Sequence, residues 1–155
     1  MYRTEHLFLE AGDFPSEDRQ IEEYAHIANM TFPNPVTIRT YDIGGDKLLP
    51  RSEKEDNPFL GWRGIRICLD RVEIFKEQLS ALLRSSEKGN LKIMFPMISS
   101  LTEVIRAKEI LSEVKSDLDS RGLFYDKDVK VGIMIEVPSA YFLADELAKE
   151  VDFFS

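Results

Sequence analysis

Arg3, Arg39, Arg63 and Glu136 are the residues of this chain whose types and places suit chemistry. Arg39 stands in the β-branched run Val36-Thr37-Ile38-Arg39-Thr40, Arg3 in the opening apolar segment, and Glu136 ends the apolar run Gly132-Ile133-Met134-Ile135. Arg63 sits beside Trp62 and close to Gly61, in the segment that follows Arg39. A planar guanidinium fork meets a phosphate or carboxylate with two parallel hydrogen bonds and stays charged when partly desolvated. Taken alone, an arginine is more often a solvated charge or a salt-bridge partner. An arginine in an apolar-flanked strand, however, must put its charge at the strand end, and Asp42 is near enough in sequence to orient Arg39. A carboxylate that ends an apolar run is costly to desolvate unless it is paired or holds a metal. One carboxylate is a weak metal signal, because Mg²⁺ sites combine one or two of them with substrate oxygens and water.

These residues need elements to carry them. Residues 1–9 read as the end of a strand, and Pro15-Ser16-Glu17-Asp18 as a helix start, with acids near the positive end of the dipole. Ile21, Tyr24, Ala25 and Ala28 follow at helical spacing until Pro33-Asn34-Pro35, and Val36–Thr40 is a short strand. From Tyr41 to about Leu69 the turn residues Gly44-Gly45, Pro50, Asn57-Pro58 and Gly61 predict one long loop with a short helical piece; loops of this length in compact domains are usually functional. Asp70–Ser86 reads as a helix with Val72, Phe75, Leu79, Leu82 and Leu83 on one face and Asp70 placed to cap it.

Leu91–Met97 is an apolar strand, followed by the capping-box pattern Ser100-Leu101-Thr102-Glu103 and a helix that carries Val104, Ala107, Leu111, Val114 and Leu118 as far as Gly122. Val129–Val137 is a nearly all-apolar strand, Ser139–Glu150 a further helix, and Val151–Phe154 begins another strand. Strands alternating with long helices imply parallel β-α units with right-handed crossovers. About three full units are present, whereas a (β/α)8 barrel needs about 250 residues. The pattern therefore suits roughly half a barrel, or an open three-layer sheet.

The bulk numbers narrow the partners. At 155 residues and 43% hydrophobic content, one core is expected. With 28 acids against 20 bases the net charge is −8, which argues against general affinity for nucleic acid or anionic membrane, so an anionic ligand must meet a local cluster of bases. The longest apolar runs are far short of the ~20 residues that cross a bilayer, and Tyr-Arg-Thr-Glu after Met1 is unlike a signal peptide. A single cysteine, Cys68, excludes an internal disulfide and suits a reducing cytoplasm.

Five runs then carry a specific resemblance. Tyr2-Arg3-Thr4-Glu5, Arg39-Thr40-Tyr41-Asp42-Ile43-Gly44-Gly45-Asp46-Lys47, Asn57-Pro58-Phe59-Leu60-Gly61-Trp62-Arg63, Met94-Phe95-Pro96-Met97 and Glu136-Val137-Pro138-Ser139-Ala140 cover nearly the whole chain. In this order they resemble the carboxyl-terminal domain of the Enzyme I family, the phosphoenolpyruvate–protein phosphotransferases that start the bacterial sugar phosphotransferase system. The second and third runs separate that family from its relatives pyruvate phosphate dikinase and phosphoenolpyruvate synthase, which share the barrel.

The resemblance implies an α/β fold, a phosphoenolpyruvate-binding (β/α)8 barrel of which residues 1–155 form one segment, from the end of the second strand to the start of the sixth. It implies that Arg3, Arg39 and Arg63 bind the phosphate and carboxylate of phosphoenolpyruvate and that Glu136 is one of two Mg²⁺ ligands. The implied partners are a phosphohistidine domain of the parent enzyme, the histidine phosphocarrier protein and a second copy of the chain, since the family is homodimeric; the implied location is the cytoplasm. The family's second metal ligand, an aspartate, and its proton-donating cysteine would follow Asp152-Phe153-Phe154-Ser155, so this segment alone is expected to be inactive, with residual affinity for phosphoenolpyruvate.

Cys68 is expected to be a buried structural thiol, and neither His6 nor His26 suits a phosphoryl acceptor. Two other readings stand beside this one. The first is a non-catalytic half-barrel that oligomerises because it exposes two sheet edges and part of a barrel interior. The second is a fragment of another phosphoenolpyruvate-utilising enzyme.

Overall fold

The computed structural model describes residues 1–44 and 61–155. Five parallel strands lie in one sheet in the order in which the chain makes them: β1 Tyr2–Arg3, β2 Val36–Arg39, β3 Leu91–Phe95, β4 Lys130–Ile133 and β5 Phe153–Phe154. A parallel neighbour cannot be reached through a hairpin, so helices make the crossings. These are α1 Glu5–Ala11 and α2 Glu17–Thr31, then α3 Ile65–Asp70 and α4 Val72–Arg84, then α5 Leu101–Ser120, and finally α6 Pro138–Phe142 and α7 Ala144–Leu147. Crossovers of one hand that always step to the next strand put every helix on the same face. In keeping with this, α2 packs on α4, α4 on α5 and α5 on α7. The sheet is open, with β1 and β5 as its edges. Among the described residues the strand order is consecutive, which is consistent with a partial barrel, without the reversal that marks a doubly wound sheet.

The core lies between sheet and helices. Ile38, Ile93, Phe95 and Ile133 meet Phe75, Leu79, Leu82, Val104, Ala107 and Leu118, all fully buried. Phe75 and Phe95 pack edge to face with ring centroids 5.9 Å apart. Burying each such side chain contributes about 1.5–3 kcal/mol. The predicted helix starts are in place: the Arg19 N–H donates to Ser16 Oγ, and at α5 the Glu103 N–H donates to Ser100 Oγ while the Ser100 N–H donates to the Glu103 carboxylate. Among the described residues no helix is long and apolar enough to cross a membrane.

Four boundaries differ from the sequence reading. The expected strand over 1–9 ends at Arg3, and Glu5–Ala11 is helix, closed by Gly12 at φ +70° with its N–H on Phe8 O. Leu7 and Phe8 are buried by this turn. Gly12 was the missed stop signal. Asp70 does not cap α4: it ends α3, which is the short helical piece expected in the long loop, and accepts the indole N–H of Trp62. The strand expected over 129–137 is β4 alone, although Met134 and Ile135 still donate to Phe95 O and Ser155 O. The single helix expected over 139–150 is split into α6 and α7 at Leu143.

Cys68 lies in the core on α3, 3% exposed. Burial, with a further contribution from the Asp42 charge, pushes its thiol up to about 12. A thiol in an unfolded chain ionises near 8.5, so its stabilising contribution is complete below about 8.5 and is lost as pH climbs toward about 12. A disulfide exchange reagent at pH 8 is expected to label this cysteine only after denaturant is added. Rapid labelling of the native chain would contradict the buried placement.

Candidate functional site

The parallel register joins one residue from each strand into a row. Arg3 is opposite Arg39, Arg39 opposite Met94, Met94 opposite Gly132, and Gly132 opposite Phe153. Side chains alternate along a strand, and Val36 and Ile38 face the helices, so this row lies on the other face. Its glycine is required by the neighbour: a Cβ on Gly132 would stand 2.4 Å from the Phe153 ring. Two arginines side by side on adjacent strands repel unless anions separate them.

Acidic side chains offset the charge of Arg39. One terminal nitrogen of Arg39 is 2.7 Å from Glu5 Oε1 and the other 3.1 Å from Asp42 Oδ2. Asp42 uses its second oxygen for Arg63, whose Nε and NH2 lie 3.1 and 3.0 Å from Oδ1. A single carboxylate thus clamps the strand arginine to the loop arginine. The side chains of Arg39, Asp42 and Arg63 are 11%, 8% and 18% exposed. Removing one member of such a desolvated pair typically costs about 3–5 kcal/mol. Arg39 also points NH1 at the Met134 sulfur, 3.8 Å away, and its Nε is buried with no hydrogen-bond partner among the described residues. Arg3 is exposed and makes no ion pair among the described residues. Among the described residues Glu5 and Asp42 are the carboxylates paired with the guanidiniums of this cluster.

Glu136 stands on the same rim, past the end of β4. Its Oε1 accepts the Met97 N–H at 2.7 Å. Met97 has φ +59°, a left-handed conformation that costs an L-residue about 1–2 kcal/mol. Its side chain lies against Gly64, where a Cβ would come within 2.9 Å of Met97 Cγ and 3.2 Å of Asp42 Oδ1. Glycine at 64, itself at φ +57°, lets the loop that returns with Arg63 close over Asp42. The Gly64 N–H donates to Ile43 O, and Gly44 and Arg63 form an antiparallel bridge, so both ends of that loop meet here.

The structure brings Arg39 and Arg63 together, sets Arg3 beside Arg39 by register, and puts Glu136 on the same rim. Asp42 orients Arg39, as its sequence position suggested. The glycine, aspartate and lysine at 45–47 and the run 57–60 lie outside the described residues. His6 is on α1 rather than a strand end, with Nδ1 2.9 Å from Arg3 O and Nε2 2.7 Å from the Tyr2 hydroxyl, a packing arrangement. Among the described residues no group of three side chains is placed to hold a metal. Glu136 could supply one ligand oxygen, since its Oε1 is engaged and Oε2 has no partner among the described residues. The role of Glu5 was missed; its spacing of two from Arg3 was the available signal.

Comparison with known proteins shows the family. The family of PEP-utilising enzymes, PEP-binding domain, matches residues 1–155. The phosphoenolpyruvate-protein phosphotransferase of Priestia megaterium is 50% identical over 157 residues, covering 100% of this chain and 27% of that protein. The proteins of the same name from Lactococcus lactis subsp. cremoris and Bacillus subtilis (strain 168) are 52% and 50% identical, again over 100% of this chain and 28% of each relative. The chain spans little more than a quarter of the length of these relatives. With the whole of its length inside the family match, and a rim of arginines at the carboxyl ends of parallel strands, the chain belongs to the PEP-utilising enzymes as a portion of their PEP-binding domain.

Proposed function

We propose that this chain is a segment of the phosphoenolpyruvate-binding (β/α)8 barrel of a phosphoenolpyruvate–protein phosphotransferase, running from the end of the second strand to the start of the sixth. The observation that carries the reading is the coupled cluster Arg3, Arg39, Asp42 and Arg63 on one rim of the sheet. Phosphoenolpyruvate brings close to three negative charges on a small frame. Arg3 is the open guanidinium, and the buried Nε of Arg39 is a donor awaiting an acceptor. Asp42 keeps Arg39 and Arg63 charged and in register, so the phosphate and carboxylate meet prepositioned donors rather than mobile side chains.

In the reaction the ester P–O bond breaks, a P–N bond forms to a histidine, and pyruvate enolate is left. The arginines hold the phosphoryl oxygens and the enolate oxygen as charge moves between them, and the protein's work is mainly positioning. Glu136 is the residue that would hold Mg²⁺ here, and the ion would supply further stabilisation of that charge. The accepting histidine belongs to a phosphohistidine domain outside this sequence, from which the phosphoryl group passes to the histidine phosphocarrier protein. This places the chain in cytoplasmic sugar transport.

A second reading is association. β1 and β5 leave two unpaired sheet edges, and Tyr141 and Phe142 at the β5 end are 71% and 82% exposed. Such edges recruit a partner, and a second copy of the chain is the one always at hand.

Calorimetric titration tests the first reading. Phosphoenolpyruvate at millimolar concentration should give heat, and Mg²⁺ should tighten the binding. Arg3→Ala removes no ion pair among the described residues, so it should leave the melting temperature unchanged while lowering affinity about tenfold, the value of one hydrogen bond to a charged group. Arg39→Ala should lose affinity and stability together. Heat that survives both substitutions undiminished would remove the arginines from the site. For the second reading, light scattering on the purified 155-residue chain is expected to give at least twice the mass of one copy. A monomer at low concentration counts against it.

A further inference from the structure

We infer that Gln78 is a positioning residue for the arginine rim, a role that rests on the phosphoenolpyruvate reading above and deepens it. Gln78 is fully buried on α4, on the apolar stripe that carries Phe75, Leu79 and Leu82. A carboxamide there must be paired through its own contacts. Its Oε1 accepts the Tyr41 N–H at 3.0 Å, and its Nε2 donates to the Tyr24 hydroxyl at 3.2 Å and to Thr4 Oγ1 at 3.4 Å. Thr4 Oγ1 in turn donates to Arg39 O at 3.1 Å. The Tyr24 hydroxyl donates a hydrogen bond to Gln20 Oε1, and Gln20 Nε2 donates to Pro15 O.

The need for this arrangement comes from the sheet. β1 ends at Arg3 and turns into α1, so the ladder on that side of β2 runs out. On the other side β2 is still held, with the Thr40 N–H on Met94 O. Beyond the end of β1, Arg39 C=O and Tyr41 N–H would be buried without partners. Thr4 hydroxyl and Gln78 carboxamide take the place of the missing strand. The two backbone groups they fix flank Thr40, one belonging to Arg39 and the other adjoining Asp42. Gln78 therefore sets the spacing between the residue that grips and the carboxylate that clamps Arg63. It touches no ligand, and it acts through the backbone on either side of Thr40.

Two readouts test this, one of them independent of any ligand. The first is the nitrogen-15 NMR signal of the arginine Nε–H groups in the ligand-free chain; the second is calorimetric titration with phosphoenolpyruvate. Gln78→Met keeps the volume and removes the carboxamide, Gln78→Glu keeps an oxygen for the Tyr41 N–H, Thr4→Val removes the bridging hydroxyl, and Leu118→Ala is a core-destabilising control on α5. Gln78→Met and Thr4→Val should shift the Arg39 and Arg63 signals and lower affinity, by about tenfold for Gln78→Met, and Gln78→Glu should recover part of it. Leu118→Ala should melt earlier yet keep wild-type signals and affinity. If Gln78→Met does not fold, Thr4→Val carries the test alone. Unmoved arginine signals in the folded variants, or equal movement in Leu118→Ala, would overturn the inference. Wild-type chain that gives no heat, with the variant signals shifted as expected, would sink the phosphoenolpyruvate reading and leave the positioning role standing.

Discussion

Asp42 holds two guanidinium groups at once, and it is the contact through which the rim is assembled. One of its oxygens serves Arg39 at the end of β2, and the other serves Arg63 on the returning loop. All three side chains are largely withdrawn from water, so the pairs cannot be exchanged for hydration without a cost of several kcal/mol. A surface pair of the same length would be worth about 0–1 kcal/mol and would fix nothing. Burial is what turns this carboxylate into a clamp. It also ties a residue 21 positions further along the chain to a strand end whose place is set by the sheet.

The two faces of the sheet divide the work. Toward the helices, Ile38, Ile93, Phe95 and Ile133 bury against α4 and α5, and this layer supplies the stability. Toward the opposite face, the row from Arg3 through Arg39 and Met94 to Gly132 mixes charge, thioether and bare backbone. Met94 and Arg39 in that row are buried, so this face carries a polar layer next to buried apolar surface. The strain at Met97 belongs to the same rim: a left-handed residue is held by the Glu136 carboxylate and packed against Gly64, in a turn that no helix or strand requires. Local conformational cost is thus concentrated at the carboxyl ends of the strands, where parallel α/β folds carry chemistry.

Polar groups inside the helical layer serve this rim as well. The chain of hydrogen bonds from Pro15 through Gln20, Tyr24 and Gln78 to Tyr41 and Arg39 runs between α2, α4 and the strand ends without meeting solvent. A buried network of this kind is stabilising only when its members are satisfied, and then it permits few alternative arrangements. It joins the helix pair to the β1–β2 rim by hydrogen bonds, the last of them on Arg39 O.

Alternation of apolar runs and amphipathic stretches was enough to read the parallel β-α class and the helix starts at Ser16 and Ser100, and it set Arg3, Arg39 and Glu136 at the ends of expected strands, with Arg63 in the loop after Arg39. These are local signals: a capping box or a β-branched run depends on neighbours within a turn or two. Residues 5–11 escaped that reading because an apolar run of this length is equally consistent with strand or helix, and the choice was made by the burial of Leu7 and Phe8. The pairing of Arg39 with Glu5 and of Arg63 with Asp42, and the reach of Gln78 from α4 to Tyr41, join residues between 21 and 37 positions apart. Sequence alone settled which side chains were available and at which strand ends they would emerge, because periodicity along one chain fixes direction. Which of them share a carboxylate or a backbone group was decided only when the helices packed, because distance between elements is a property of the core and not of spacing along the chain.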